Sequence, residues 1–198
     1  MKSDICKLNN DALSLEKALK EAEKIAVYNE YNEKQTGRLR LLAEELIGMV
    51  PSLLEYAEGD FWIESEGKKV ELHVSLTPSS IVNADKREKL LAISTSGKNA
   101  AAVGIMNKIR IAAEMMMLDY AEVSASMPIT HDFYALGMST APVFPDPAWS
   151  LQAYRAKAEA EKGEKWDELE KSIIANIADD VLVGIKGSKV DIIIKKVF

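Results

Sequence analysis

Residues 94–108, STSGKNAAAVGIMNK, place Ser96, Gly97, Lys98 and Asn99 at the mouth of an alanine-rich apolar run. Glycines let backbone amides approach a phosphate, and a following helix start supplies unpaired N–H groups and the positive end of a dipole. A Walker P-loop needs Gly-x-x-x-x-Gly-Lys-Ser/Thr after a strand. Here Ala92 stands at the first glycine and Asn99 at the hydroxyl, and the preceding REKLLAI is helical in character. The segment is therefore not a P-loop. Two readings stay open: an anion cradle formed by Ser96, Gly97, Lys98 and Asn99 with Gly104, or a helix capped by Ser96 or Asn99 with a solvated Lys98.

A second candidate is LAEELIGMV, where Glu44 and Glu45 interrupt an apolar helical stretch. Adjacent helical positions lie about 100° apart, so the pair cannot easily share the buried face. One carboxylate directed into a cleft would be a general base, whereas two solvated carboxylates would only mark the helix rim. His131 and Asp132 are adjacent within a proline-rich stretch and form a weaker catalytic pair. Met115, Met116 and Met117 suit core filling or an adaptable contact surface. His73 falls on the polar register of its strand and is expected to be exposed, and Trp62, Trp149 and Trp166 are expected to pack.

The composition excludes several function classes. The 198 residues carry a formal net charge of −6 with no strongly basic stretch, which argues against a nucleic-acid partner. Cys6 is the single cysteine and His73 and His131 are the two histidines, so neither a disulfide framework nor a zinc site is expected. No signal peptide is apparent, and no run approaches the about 18 apolar residues of a membrane span. The expected setting is the cytoplasm.

The elements that must position these residues follow from periodicity. Residues 11–32 carry Leu13, Leu15, Ala18, Leu19, Ala22, Ile25 and Ala26 at helical spacing, with Asn10 or Asp11 as cap. A second helix is expected from about Thr36 to Ala57, loosened at Pro51. KVELHVSLT alternates strictly and predicts a strand, paired through a turn at Glu66-Gly67 with one containing Phe61 to Glu64. DVLVGIKGSKVDIIIKK predicts a second hairpin around Gly187-Ser188. Between the hairpins lie a short helix near residues 83–94, a long one from Asn99 to about Glu122, a loop at 124–150, and helices at Leu151–Glu161 and Trp166–Ala178. Grouped hairpins with helices between them predict an α+β fold, a two-layer sandwich of one antiparallel or mixed sheet with helices on one face.

This order resembles the GHKL superfamily, the ATP-binding fold of histidine kinases, gyrase B subunits and anti-sigma serine kinases. LRLLAEELIGMVPSLLEYA resembles its first helix, KVELHVSLTP its central strand, GKNAAAVGIMNKI its phosphate turn and helix, and DDVLVGIKGSKVDIIIKKVF its terminal hairpin. The family's helix carries a Glu that acts as base in hydrolysing members, and four residues later an Asn that holds magnesium. Glu45 matches the first and Met49 replaces the second. Thr77-Pro78-Ser79 stands where the family has Asp-x-Gly, so the adenine-reading carboxylate is missing.

The resemblance implies a degenerate member: an N-terminal helical segment over 1–35, serving a partner or dimer contact, and a GHKL-like domain over 36–198. It implies ATP or ADP as ligand at Ser96, Gly97, Lys98, Asn99 and Gly104. Glu45 would be the base if any chemistry occurs. Met49 argues against magnesium, because a thioether is a poor ligand for a hard cation. A protein partner and a homodimer are implied as well. The alternatives are a pseudo-ATPase acting only as a protein-interaction module and, more remotely, an unrelated α+β enzyme using His131 and Asp132.

Overall fold

Alternation of apolar and polar side chains on two hairpins generates the sheet. The computed structural model describes residues 1–9, 11–53, 57–78, 104–126, 149–161, 164–186 and 189–198. Strands β2 (Ala57–Glu66) and β3 (Lys69–Pro78) form the first hairpin, turned by Gly67 at φ +58, a left-handed conformation that glycine adopts without strain. Strands β5 (Asp180–Lys186) and β6 (Lys189–Val197) form the second. β3 then pairs with β6, joining the hairpins into one antiparallel sheet, with β1 (Cys6–Leu8) and β4 (Trp149–Ser150) at its edges. The order of the six strands is β1-β2-β3-β6-β5-β4.

In-register rows cross this sheet. Phe61, Val74, Ile192 and Val183 lie side by side, as do Ile63, Leu72, Ile194 and Val181, and all are buried. They share one core with the helices. On the opposite face the polar rows Asp60–Ser75–Asp191 and Glu64–Glu71–Lys195 flank the row Trp62–His73–Ile193–Leu182.

Three long helices complete the core: α1 (Ala12–Tyr28), α2 (Glu33–Leu53) and α3 (Ile105–Ser126). Asp11 caps α1, accepting from the Ser14 amide at 2.8 Å. The buried face of α1 runs through Ser14, Ala18, Glu21, Ala22 and Ile25, so Leu13 is out of phase with it and stands exposed. α1 packs against β1, β2 and α2, and α3 against β5 and β6. α2 touches both α1 and α3 and buries Leu39, Leu42, Leu46, Val50 and Leu53. It continues through Pro51 into its last turn.

Three shorter helices, α4 (Leu151–Glu161), α5 (Glu164–Lys171) and α6 (Ile173–Ile177), lead into β5. The expected single helix over 166–178 is in fact two. Ser172 leaves helical geometry at ψ 122, and its hydroxyl accepts from the Ala175 amide at 3.2 Å to start α6. Arg155 of α4 then closes the other end, donating to the carbonyls of Ala175, Ala178 and Asp179. Cationic donors at a helix C-terminus satisfy carbonyls that lack intrahelical partners.

The two edge strands and the N-terminal pairing were not foreseen. Ser3 binds the backbone of Ile63 in both directions, its amide donating to the Ile63 carbonyl at 2.8 Å and its hydroxyl accepting from the Ile63 amide at 2.9 Å. The short helix near 83–94, the turn at 187–188 and residues 127–148 of the loop expected over 124–150 lie outside the described residues, whereas residues 124–126 continue α3 and residues 149–150 form β4. Arg155→Met retains the aliphatic stem but removes three charge-assisted bonds, and is expected to cost about 2 kcal/mol. It should appear as a lower urea midpoint at unchanged slope.

Candidate functional site

The register of α2 against α3 creates an open cleft of about 370 Å³, lined by Glu44, Glu45, Gly48, Met49 and Ser52 of α2 and by Met106, Asn107 and Arg110 of α3. Residues 45, 49 and 52 recur at the i, i+4 and i+7 spacing that places side chains on one helical face. Met49 is 8% exposed and lies at the boundary between core and cleft. Gly48 has no atom within 4 Å of where a Cβ would stand, so α2 presents bare backbone to this opening. Gly104, at φ +91, turns the chain into α3, and its carbonyl accepts from the Lys108 amide at 3.2 Å. A side chain at that φ would be strained.

The two glutamates divide. Glu44 accepts from Arg40 Nε at 2.8 Å, and Arg40 also reaches Glu23 of α1 at 3.2 Å. That network occupies Glu44. Glu45 is half-buried and forms no ion pair or hydrogen bond among the described residues. It is thus the carboxylate of the cleft that is available to a ligand. The sequence expectation that only one of the pair could face a cleft is modified, since both line this one, although only Glu45 is uncommitted.

Ser96, Gly97, Lys98 and Asn99 lie outside the described residues, as do His131 and Asp132. Of the phosphate-turn candidates the structure therefore places Gly104 alone, directly before the helix whose first two turns line the cleft. Met116 and Met117 are core side chains. Arg110 was not singled out from the sequence. Its signal was the i, i+4 spacing to Glu114, two charges in the otherwise apolar run IRIAAEMMM. Among the described residues no group of three His, Cys, Asp or Glu side chains could hold a metal, and no helix is long and apolar enough to cross a membrane.

His73 corrects its expectation. It lies on the polar face yet is only 9% exposed, because the Trp62 ring stacks on it at 4.8 Å and 3°. Trp62 is held in turn by its indole bond to Glu64 at 2.9 Å and by Lys2, whose Nζ lies 4.7 Å from the ring centre. Glu71 approaches His73 Nε2 at 3.5 Å, and that buried nitrogen has no hydrogen-bond partner.

The chain matches no protein-family model, no curated protein and no solved structure. The arrangement of its own residues therefore carries the functional reading.

Burial pushes the His73 pKa down from its ordinary value; Glu64, Glu71 and Asp191 pull it up less strongly, and Lys2 adds to the fall. As pH drops below about 6.5 the unfolded chain takes the proton first. Stability from this residue is accordingly full above that pH and lost as pH falls towards the lowered native pKa. His73→Phe keeps the stack without the titration and should flatten the pH 7 to 5 stability profile, measured by urea unfolding.

Proposed function

We propose that this chain is a cytoplasmic regulatory protein with a degenerate GHKL-like fold, holding an adenine nucleotide or another phosphate ligand between α2 and α3. It does so without magnesium and without efficient phosphoryl transfer. The observation that carries this reading is the convergence of two segments distant in sequence. The helix bearing Glu45 and Met49 and the helix start after Gly104 are the pieces that resemble a nucleotide-binding helix and a phosphate turn, and both line one cleft. An antiparallel sheet with helices sharing its inner face supports the α+β class of this reading.

Met49 supports the loss of chemistry. Phosphoryl transfer needs a cation bridging the phosphates to neutralise developing charge. Magnesium takes oxygen ligands in near-ideal octahedral geometry. A thioether does not supply them, so the residues present do not fit this metal. Glu45 remains the single base candidate of the motif. On this reading Ser96, Gly97, Lys98 and Asn99 would supply amides and one positive charge to the phosphates. A protein partner and a second copy of the chain are the expected interactors of such a regulator.

A second reading is a pseudo-ATPase that serves only as an interaction module. Met49 and Met106 favour it, since both line the cleft and methionines adapt to apolar partners.

Calorimetric titration with ATP and ADP, each with and without magnesium, separates the two. The first reading expects binding that magnesium does not alter and that Lys98→Ala abolishes. A ligand at a hundred times its Kd then stabilises the native state by about 2.7 kcal/mol, visible as a higher Tm. Met49→Asn is expected to make that binding respond to magnesium. Absence of heat and of a Tm shift at millimolar nucleotide would overturn the first reading in favour of the second.

A further inference from the structure

Arg110 alters what the cleft can hold. It lies one turn beyond Met106 on α3 and lines the same opening as Glu45 and Met49. Its Nη1 donates to Oε1 of Glu114 at 2.7 Å, one further turn along the helix. The Glu114 side chain is 4% exposed and that of Arg110 22%. The carboxylate is thus the buried anchor, and Arg110 is the more exposed partner and the one that lines the opening.

A guanidinium presents five N–H donors in a planar fork that matches phosphate oxygens. Among the described residues Glu114 engages one terminal nitrogen of Arg110 and nothing else binds it. Oε2 of Glu114 is buried without a hydrogen-bond partner. As a stability device this pair is poor. An unsatisfied buried oxygen costs free energy, and apolar side chains of similar volume generally do as well as a buried ion pair. As a tether it works, because the one bond holds the guanidinium beside Glu114 and engages only one of its nitrogens among the described residues.

We propose that Arg110 is the phosphate-binding cation of this cleft, standing in for the divalent metal that Met49 disfavours, with Glu114 as its positioning residue. This rests on the nucleotide reading above and narrows the ligand to molecules carrying a di- or triphosphate. The rest of the described lining gives such an anion no other fixed cation: Glu44 is neutralised by Arg40, and Glu45 adds a negative charge. Binding without metal would therefore depend on Arg110.

The test is titration in EDTA with ADP, ATP and inorganic pyrophosphate, with adenosine as the uncharged probe. Arg110→Gln is expected to weaken ADP and pyrophosphate binding by about tenfold or more, while Arg110→Lys keeps part of it. Arg110→Gln alone leaves Glu114 as a lone buried charge and threatens folding. The double variant Arg110→Gln/Glu114→Gln removes both charges together, and its Tm without ligand reports that it is folded.

A folded double variant that binds ADP and pyrophosphate as the wild type does overturns the proposal. Wild-type protein that binds none of these probes removes the nucleotide reading itself. For the positioning role, Glu114→Ala should lose ADP affinity and Glu114→Gln, which retains an acceptor oxygen, should restore it. Wild-type affinity in Glu114→Ala would overturn that role.

Discussion

The fold depends on the pairing of β3 with β6, the seam that converts two local hairpins into one sheet. Leu72 against Ile194, Val74 against Ile192 and Leu76 against Val190 are pairs in which both side chains are buried. Each such side chain contributes about 1.5–3 kcal/mol on leaving water, so this seam holds a large part of the free energy of the core. On the polar face the same seam carries Ser75 bonded to Asp191 at 2.6 Å. Either hairpin alone would expose both edges and one apolar face, and neither is a stable unit in water.

The cleft inherits its shape from that seam. α3 rests on β5 and β6, α1 on β1 and β2, and α2 packs against both helices. The sheet order therefore brings Met49 of α2 and Arg110 of α3 to one opening. Lys7 and Lys189 both pair with Asp60, at 2.7 and 3.6 Å, tying β1 and β6 across the polar face of β2. Tyr31 fastens the link between α1 and α2 to the first hairpin, with its hydroxyl on the Gly67 carbonyl at 2.9 Å and its ring 4.9 Å from that of Phe198. Helix positions are thus fixed from the sheet outward.

β3, β5 and β6 were legible from apolar residues at alternate positions, whereas β2 was legible only from Phe61 to Glu64, because Gly59 and Ser65 hold its buried register without an apolar side chain and Ala57, expected to end the second helix, begins the strand. The edge strands were not. β1 and β4 have three and two residues, too few for a period, and their partners lie elsewhere in the chain. The face of α2 that meets the cleft could be read from the phase of Glu45 and Met49, because helical phase is a local property. The burial of His73 depends on a ring from a neighbouring strand, which alternation alone does not report. Arg110 was hidden for a similar reason. Its spacing to Glu114 was visible, but the opening it shares with α2 exists only after tertiary packing.

Because β6 lies late in the chain yet in the middle of the sheet, the molecule has an assembly problem that its finished structure conceals. β1, β2 and β3 come early, and β2 and β3 are joined by a tight turn, but the remaining edge of β3 must await a strand more than a hundred residues further on. Closing so distant a contact requires a large loss of chain entropy before any apolar burial is gained. In that interval β3 offers unpaired backbone groups and the side chains of Val70, Leu72, Val74 and Leu76, the kind of template on which a second copy can add. Lys69, Glu71 and His73, interleaved on the same strand, supply the polarity that makes such an encounter less favourable. They act as guards during folding before they become part of a polar face.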